Sequence, residues 1–121
     1  MNEQLRHYQR KLEYEIDSWD LKVAREAAEP ITVIDARSRQ AFAREHVPGA
    51  ISVPHHEMTP ATTAGIDRKT LVVTYCDGIG CNASTKGALK MTELGFRTRE
   101  LIGGLDWWKR DGHPTERGIG V

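Results

Sequence analysis

The chain has 121 residues, enough for one domain that buries roughly two-thirds of the surface its unfolded form exposes, so neither a disulfide nor a metal is needed for folding. Seventeen basic and seventeen acidic residues cancel, which excludes a whole-protein field that would draw it to nucleic acid or to a membrane surface. No segment approaches the roughly 20 apolar residues that cross a bilayer, and Met1–His7 lacks the apolar stretch of a signal peptide. The expectation is a cytoplasmic protein in reducing surroundings, where a C-x4-C pair is catalytic, redox-active or incidental rather than a structural staple.

In chain order, Leu5, Tyr8 and Leu12 fall at helical spacing among charged residues and predict a short amphipathic helix. Tyr14-Glu15-Ile16 reads as a brief strand. Ser18 is positioned to cap a helix through Trp19, Leu21 and Val23, which Pro30 ends. Ile31-Thr32-Val33-Ile34 is a continuous apolar run of the kind found in parallel strands covered on both faces. It stops at Asp35-Ala36-Arg37, and Ser38 caps the next helix, through Phe42 and Arg44. Pro48-Gly49 turns the chain into a second short strand, Ala50–Pro54. Residues 55–69 read as a polar loop with a helical turn.

Leu71-Val72-Val73-Thr74-Tyr75 then delivers Cys76 into the loop Asp77-Gly78-Ile79-Gly80-Cys81-Asn82. A helix follows from about Ala83 to Leu94, with Leu89, Met91 and Leu94 on its buried side and Gly95 ending it. Thr98–Ile102 is a further strand, Gly103-Gly104 breaks it, and Leu105–Arg110 is a short last helix closed by Gly112-His113-Pro114. Strands alternating with helices imply an α/β sandwich around a parallel sheet. A loop between a strand and a helix N-terminus gathers backbone N–H groups and the positive end of a helix dipole at one spot. A cysteine there ionises readily, because its thiolate is the bound anion. Cys76 is therefore the candidate nucleophile.

Several motifs, in order, resemble those of single-domain rhodaneses. Val33-Ile34-Asp35-Ala36-Arg37 is similar to that family's strand ending in Asp-x-Arg. His46-Val47-Pro48-Gly49-Ala50-Ile51-Ser52-Val53-Pro54 resembles its His-Ile-Pro-Gly-Ala-x-x-x-Pro signature. Val73-Thr74-Tyr75-Cys76 stands where the family has its catalytic cysteine, and Leu94-Gly95-Phe96 and Gly103–Trp108 resemble its closing motifs. The resemblance implies a rhodanese-like three-layer α/β sandwich, with a central mostly parallel sheet and helices on both faces. It places one domain over residues 1–121: residues 1–29 are an N-terminal helical extension with the first short strand, and 30–121 the core. It also implies a sulfurtransferase that carries sulfane sulfur as a persulfide on Cys76. The donor would be thiosulfate or a thiol persulfide; the acceptor cyanide, a thiol or a partner protein's cysteine. No cofactor and no metal are implied.

The loop departs from the family's usual pattern, which often places Arg, Lys, Ser or Thr after the cysteine. Here Asp77, Gly78, Ile79, Gly80, Cys81 and Asn82 form a substrate-binding loop with no cation and one carboxylate. If Asp77 points inward it opposes a dianion, and Lys86, Arg37 or a histidine would have to compensate. Asp35 and Arg37 are expected to organise the region beside the loop rather than do chemistry, and Asn82 to cap the helix. His46 reads as a packing residue. His55-His56 and the cysteines lack the spacing of a zinc finger. Trp107 and Trp108 should divide between core and surface. Cys81 has two readings, a structural thiol or a partner that resolves an oxidised or persulfidated Cys76 as a disulfide.

Two competing functions follow. Phosphate-ester hydrolysis would want an arginine clamping the phosphoryl group, which this loop lacks. A non-catalytic regulatory or protein-binding domain would have no use for a thiolate, although a redox sensor built on Cys76 and Cys81 would. The N-terminal helix could dock on its own domain or on a second copy.

Overall fold

The computed structural model describes residues 2–118. Its elements run α1 (Asn2–Tyr14), β1 (Glu15–Ile16), α2 (Ser18–Glu26), β2 (Ile31–Asp35), α3 (Arg39–Arg44), β3 (Ile51–Ser52), a 3-10 turn (His55–Glu57), β4 (Leu71–Tyr75), α4 (Ala83–Glu93), β5 (Arg97–Leu101) and α5 (Gly104–Arg110). The five strands form one sheet in the order β1-β5-β4-β2-β3, and each pairing is parallel. The expected α/β architecture is therefore observed.

Alternation along the central strands builds two cores, because successive side chains leave a strand on opposite faces. Val33, Val73 and Tyr75 point to one side, where Leu21, Phe42, Val47, Leu105 and Trp108 cover them. Ile34 and Val72 point to the other and pack with Met58, Met91 and Phe96. Each fully buried aliphatic side chain here contributes about 1.5–3 kcal/mol relative to exposure.

Helix ends reward short polar side chains, although not always the expected one. Ser38 caps α3, accepting from the Ala41 N–H at 3.1 Å. At α2 the cap is Asp17, whose carboxylate accepts from the Asp20 N–H at 2.8 Å. Ser18 is instead the first helical residue, buried, with its hydroxyl donating to Asp111 at 2.5 Å. At α4, Asn82 holds the cap position but its side chain makes no capping bond. The inner face of α4 also differs from expectation: Ser84, Gly87 and Met91 are buried, whereas Leu89 is exposed. Gly87 sits where a Cβ would press on Ala36 and Met58, so the small residues let α4 approach the sheet.

Helix α1 forms as its apolar spacing predicts, yet none of its residues is buried. Tyr14 ends this helix instead of starting β1. The helix is tethered at its C-terminus, where the Arg99 guanidinium donates to the carbonyls of Leu12, at 2.8 Å, and Glu15. No helix among the described residues is long and apolar enough to cross a membrane.

Candidate functional site

Chain direction at the sheet centre fixes where a site can be. From β2 the chain moves outward to β3, whereas from β4 it moves the opposite way to β5. Such a reversal opens a crevice at the C-terminal ends of the two strands. Asp35 and Tyr75 are register partners at that point, so the loops beginning at Ala36 and Cys76 emerge side by side.

The β2 loop is a buried ionic network. Asp35 has no exposure and accepts from three groups: the Arg37 backbone N–H at 2.9 Å, the Arg37 guanidinium at 2.7–3.2 Å and the Tyr75 hydroxyl at 2.8 Å. Tyr75 in turn accepts from the Val47 N–H at 3.0 Å. Burial alone would lower the Arg37 pKa, but its hydrogen bonds to Asp35 and Asp77 outweigh that and hold it above the ordinary arginine value. Burial, followed by the Asp35 charge, pushes the Tyr75 phenol above its ordinary value. Arg37 also donates to the carbonyls of Ala41 and Glu45, at 3.3 and 2.6 Å.

The β4 loop carries both cysteines. Cys76 is 1% exposed, belongs to neither apolar core, and is joined by a disulfide to half-buried Cys81 across a Cα–Cα distance of 6.2 Å. The Cys81 N–H donates to the Gly78 carbonyl at 3.2 Å, tightening the turn between the two cysteines. Among the described residues, the N–H groups of Gly78, Ile79 and Gly80 find no acceptor in the chain. Helix α5 holds the start of the loop: the Leu105 and Asp106 N–H groups donate to the Cys76 and Asp77 carbonyls at 2.9 and 2.8 Å. Gly104 makes this approach possible. Its φ is +57°, and a Cβ there would collide with the Cys76 carbonyl oxygen.

Both cysteines line a cavity of about 220 Å³, with Gly78 and Ile79 from the loop, Ser84 and Thr85 from the first turn of α4, and Glu100 from β5. The sequence reading missed the last three. Glu100 accepts from Thr85 Oγ1 at 2.8 Å and Ser84 Oγ at 3.3 Å. Its place beside the cysteine strand depends on the pairing of Thr74 with Glu100, which strand alternation alone does not reveal.

The proposed compensating charges do not enter this cavity. Asp77 points to Arg37, 2.9 Å away, with its side chain 71% exposed; it neither lines the cavity nor opposes an anion from within. Arg37 reaches the edge of the site with its guanidinium engaged by two carboxylates. Lys86 lies exposed on α4 outside the cavity wall, where its charge, together with burial as the larger cause, lowers the His55 pKa. Gly80 and Asn82 belong to the loop but not to the wall. His46 is buried, stacked on Phe42 and bonded to its carbonyl at 2.7 Å. Trp108 is buried and Trp107 exposed, as expected. Cys76, Asp77 and Cys81 bring three ligand atoms within 4.8 Å of one another, but with both sulfurs tied in a disulfide no thiolate is available to a metal.

Comparison with known proteins agrees with this geometry. The family profile described as Rhodanese-like domain matches residues 20–111. The thiosulfate sulfurtransferase GlpE of Pseudomonas entomophila is 33% identical over 95 residues, spanning 77% of this chain and 83% of that protein. The HTH-type transcriptional regulator Rv0324 of Mycobacterium tuberculosis is 29% identical over 97 residues; the match spans 80% of this chain but 42% of the regulator, less than half its length. Among solved structures, the BH2092 protein of Bacillus halodurans superposes with a TM-score of 0.91 at 40% identity, covering 98% of this chain and 88% of that one. The rhodanese-like domain of the Anabaena Alr3790 protein gives 0.76 at 27% identity, covering 87% and 80%. With the profile spanning residues 20–111 of the 121, the chain belongs to the rhodanese-like domain family.

Proposed function

We propose that this domain is a sulfurtransferase that carries sulfane sulfur on Cys76. The observation that carries the reading is the place of Cys76: the first residue after the central strand β4, at the crevice, lining a cavity beside the N-terminus of α4. In the reduced protein the Cys76 thiolate attacks the outer sulfur of the donor. With thiosulfate a sulfur–sulfur bond forms on Cys76 and sulfite leaves with the electron pair of the broken bond; with a thiol persulfide the thiolate leaves instead. Cyanide, a thiol or a protein cysteine then takes the outer sulfur and regenerates the Cys76 thiolate. Unpaired loop N–H groups and the α4 dipole favour the anionic forms.

Donor preference follows from the charges around the cavity. Among the described residues no lysine, arginine or histidine lines it, and Glu100 does. A thiol persulfide of low net charge is therefore favoured over dianionic thiosulfate. The cytoplasmic setting belongs to the same proposal, because turnover needs Cys76 reduced. The test is thiocyanate formation from cyanide with each donor, using protein first reduced and freed of reductant. Turnover that disappears in Cys76→Ala is expected; undiminished turnover in that variant overturns the reading. A redox sensor that cycles without carrying sulfur is favoured by one observation, the Cys76–Cys81 bond, and predicts loss of two hydrogens under peroxide with no sulfur uptake from any donor.

A further inference from the structure

We infer that Cys81 is a second nucleophile that discharges the Cys76 persulfide, so that the domain releases hydrosulfide as well as transferring sulfur. The inference rests on the persulfide reading above. In the step itself, the Cys81 thiolate attacks the Sγ of Cys76. The Cys76–Cys81 bond forms, the bond from Cys76 to the outer sulfur breaks, and that sulfur departs with the electron pair as hydrosulfide. The disulfide left behind is the bond the structure holds. A dithiol reductant then returns both cysteines to thiols and is itself oxidised to a disulfide. The sum is one sulfane sulfur reduced to hydrosulfide and one dithiol oxidised.

Three features of the site carry this. First, the two Cα atoms are 6.2 Å apart, inside the range that a disulfide spans without moving the backbone. The turn that sets this distance is closed by the Cys81–Gly78 bond, so the attacking sulfur is held at high effective concentration. Second, Cys76 is almost fully buried whereas Cys81 is half-buried in the same cavity wall. The thiol nearest to a persulfide on Cys76 is thus supplied by the chain, ahead of any acceptor from solvent. Cys81 also lies two residues before the first turn of α4, where the helix dipole favours its thiolate. Third, among the described residues the wall offers Glu100 and no cationic side chain, so no salt bridge holds the outer sulfur of a Cys76 persulfide in place against its departure as hydrosulfide. Gly80 adds freedom between the cysteines without side-chain obstruction, since a Cβ there would meet nothing within 4 Å.

The experiment loads reduced, reductant-free protein with cysteine persulfide and, separately, thiosulfate. It follows released hydrosulfide and intact mass together for wild type, Cys81→Ser, Cys81→Ala and Cys76→Ser. Wild type is expected to release one hydrosulfide per chain and finish two hydrogens lighter than the dithiol form. Both Cys81 variants should hold one extra sulfur and release hydrosulfide only at background. Adding a dithiol should make release catalytic in wild type, whereas in the Cys81 variants any release should require the dithiol itself as sulfur acceptor and be absent before it is added. The inference is overturned if wild type retains the extra sulfur as long as the Cys81 variants do, or if those variants release hydrosulfide at the wild-type rate. Failure of either Cys81 variant to take up sulfur from any donor would instead remove the persulfide itself, and the discharge step with it. The two failures are thereby told apart.

Discussion

The two loops at the sheet crevice are built on opposite plans. The loop after β2 is over-determined: one buried carboxylate, one guanidinium and one phenol satisfy each other, and Arg37 also bonds two carbonyls. The loop after β4 is held instead by the grip of α5 on its first two carbonyls, one internal turn, the Cys76–Cys81 bond and the exposed Asp77–Arg37 pair. Charge is therefore spent on architecture in the first loop, and the second is left with sulfur, bare N–H groups and a nearby carboxylate. The cation beside the site, Arg37, is engaged by Asp35 and Asp77, and among the described residues no positive side chain lines the cysteine cavity.

The largest expected effect comes from removing that cation. Arg37→Ala leaves Asp35 buried and charged without its partner, which costs about 3–5 kcal/mol. Urea denaturation should show it; a loss no greater than that of a surface ion pair would mean the network contributes little. Next is the grip of α5 on the second loop. Gly104→Ala adds a Cβ against the Cys76 carbonyl at a left-handed backbone position, at a cost of about 2 kcal/mol or more. Sulfur transfer should fall with it, and unaltered stability with unaltered transfer would show that α5 does not hold the loop.

A smaller change tests the charge of the cavity. Glu100→Gln should raise kcat/KM for thiosulfate about fivefold relative to cysteine persulfide, corresponding to roughly 1 kcal/mol of repulsion removed. An equal effect on both donors would show that Glu100 does not discriminate by charge. The smallest effect lies outside both loops. His55 has its pKa lowered by burial first and by the Lys86 charge second, so the folded chain resists protonating it. Its contribution to stability is present above the free imidazole value of about 6.5 and is lost as pH falls below it. His55→Gln should flatten the decline in urea midpoint between about pH 7.5 and about pH 5.5; parallel declines would contradict this.

What could be read from the sequence was local in origin. The apolar runs at Ile31 and Leu71 announce buried parallel strands because both faces of each are covered. Ser38 and Gly95 announce helix ends because their roles depend only on neighbouring residues. Ser18 misleads for the same reason: Asp17 supplies a competing carboxylate one residue earlier, and the burial of Ser18 against Asp111 is tertiary. Leu89 misleads because Gly87 and Ser84, not the larger residue, allow α4 to approach the sheet. At the site, the spacing of Cys76 and Cys81 permits a bond without requiring one. The entry of Glu100 into the cavity, and the turning of Asp77 toward Arg37, depend on which strands are neighbours. That information lies in the sheet order, which no single segment contains.

The central claim is that Cys76 takes up the migrating sulfur. It is tested most directly by peptide-resolved mass analysis of reduced Cys81→Ser protein treated with cysteine persulfide, a variant in which the carried sulfur cannot be lost to Cys81. The account predicts one additional sulfur on the peptide containing Cys76. A peptide of unchanged mass after treatment with either donor would contradict it.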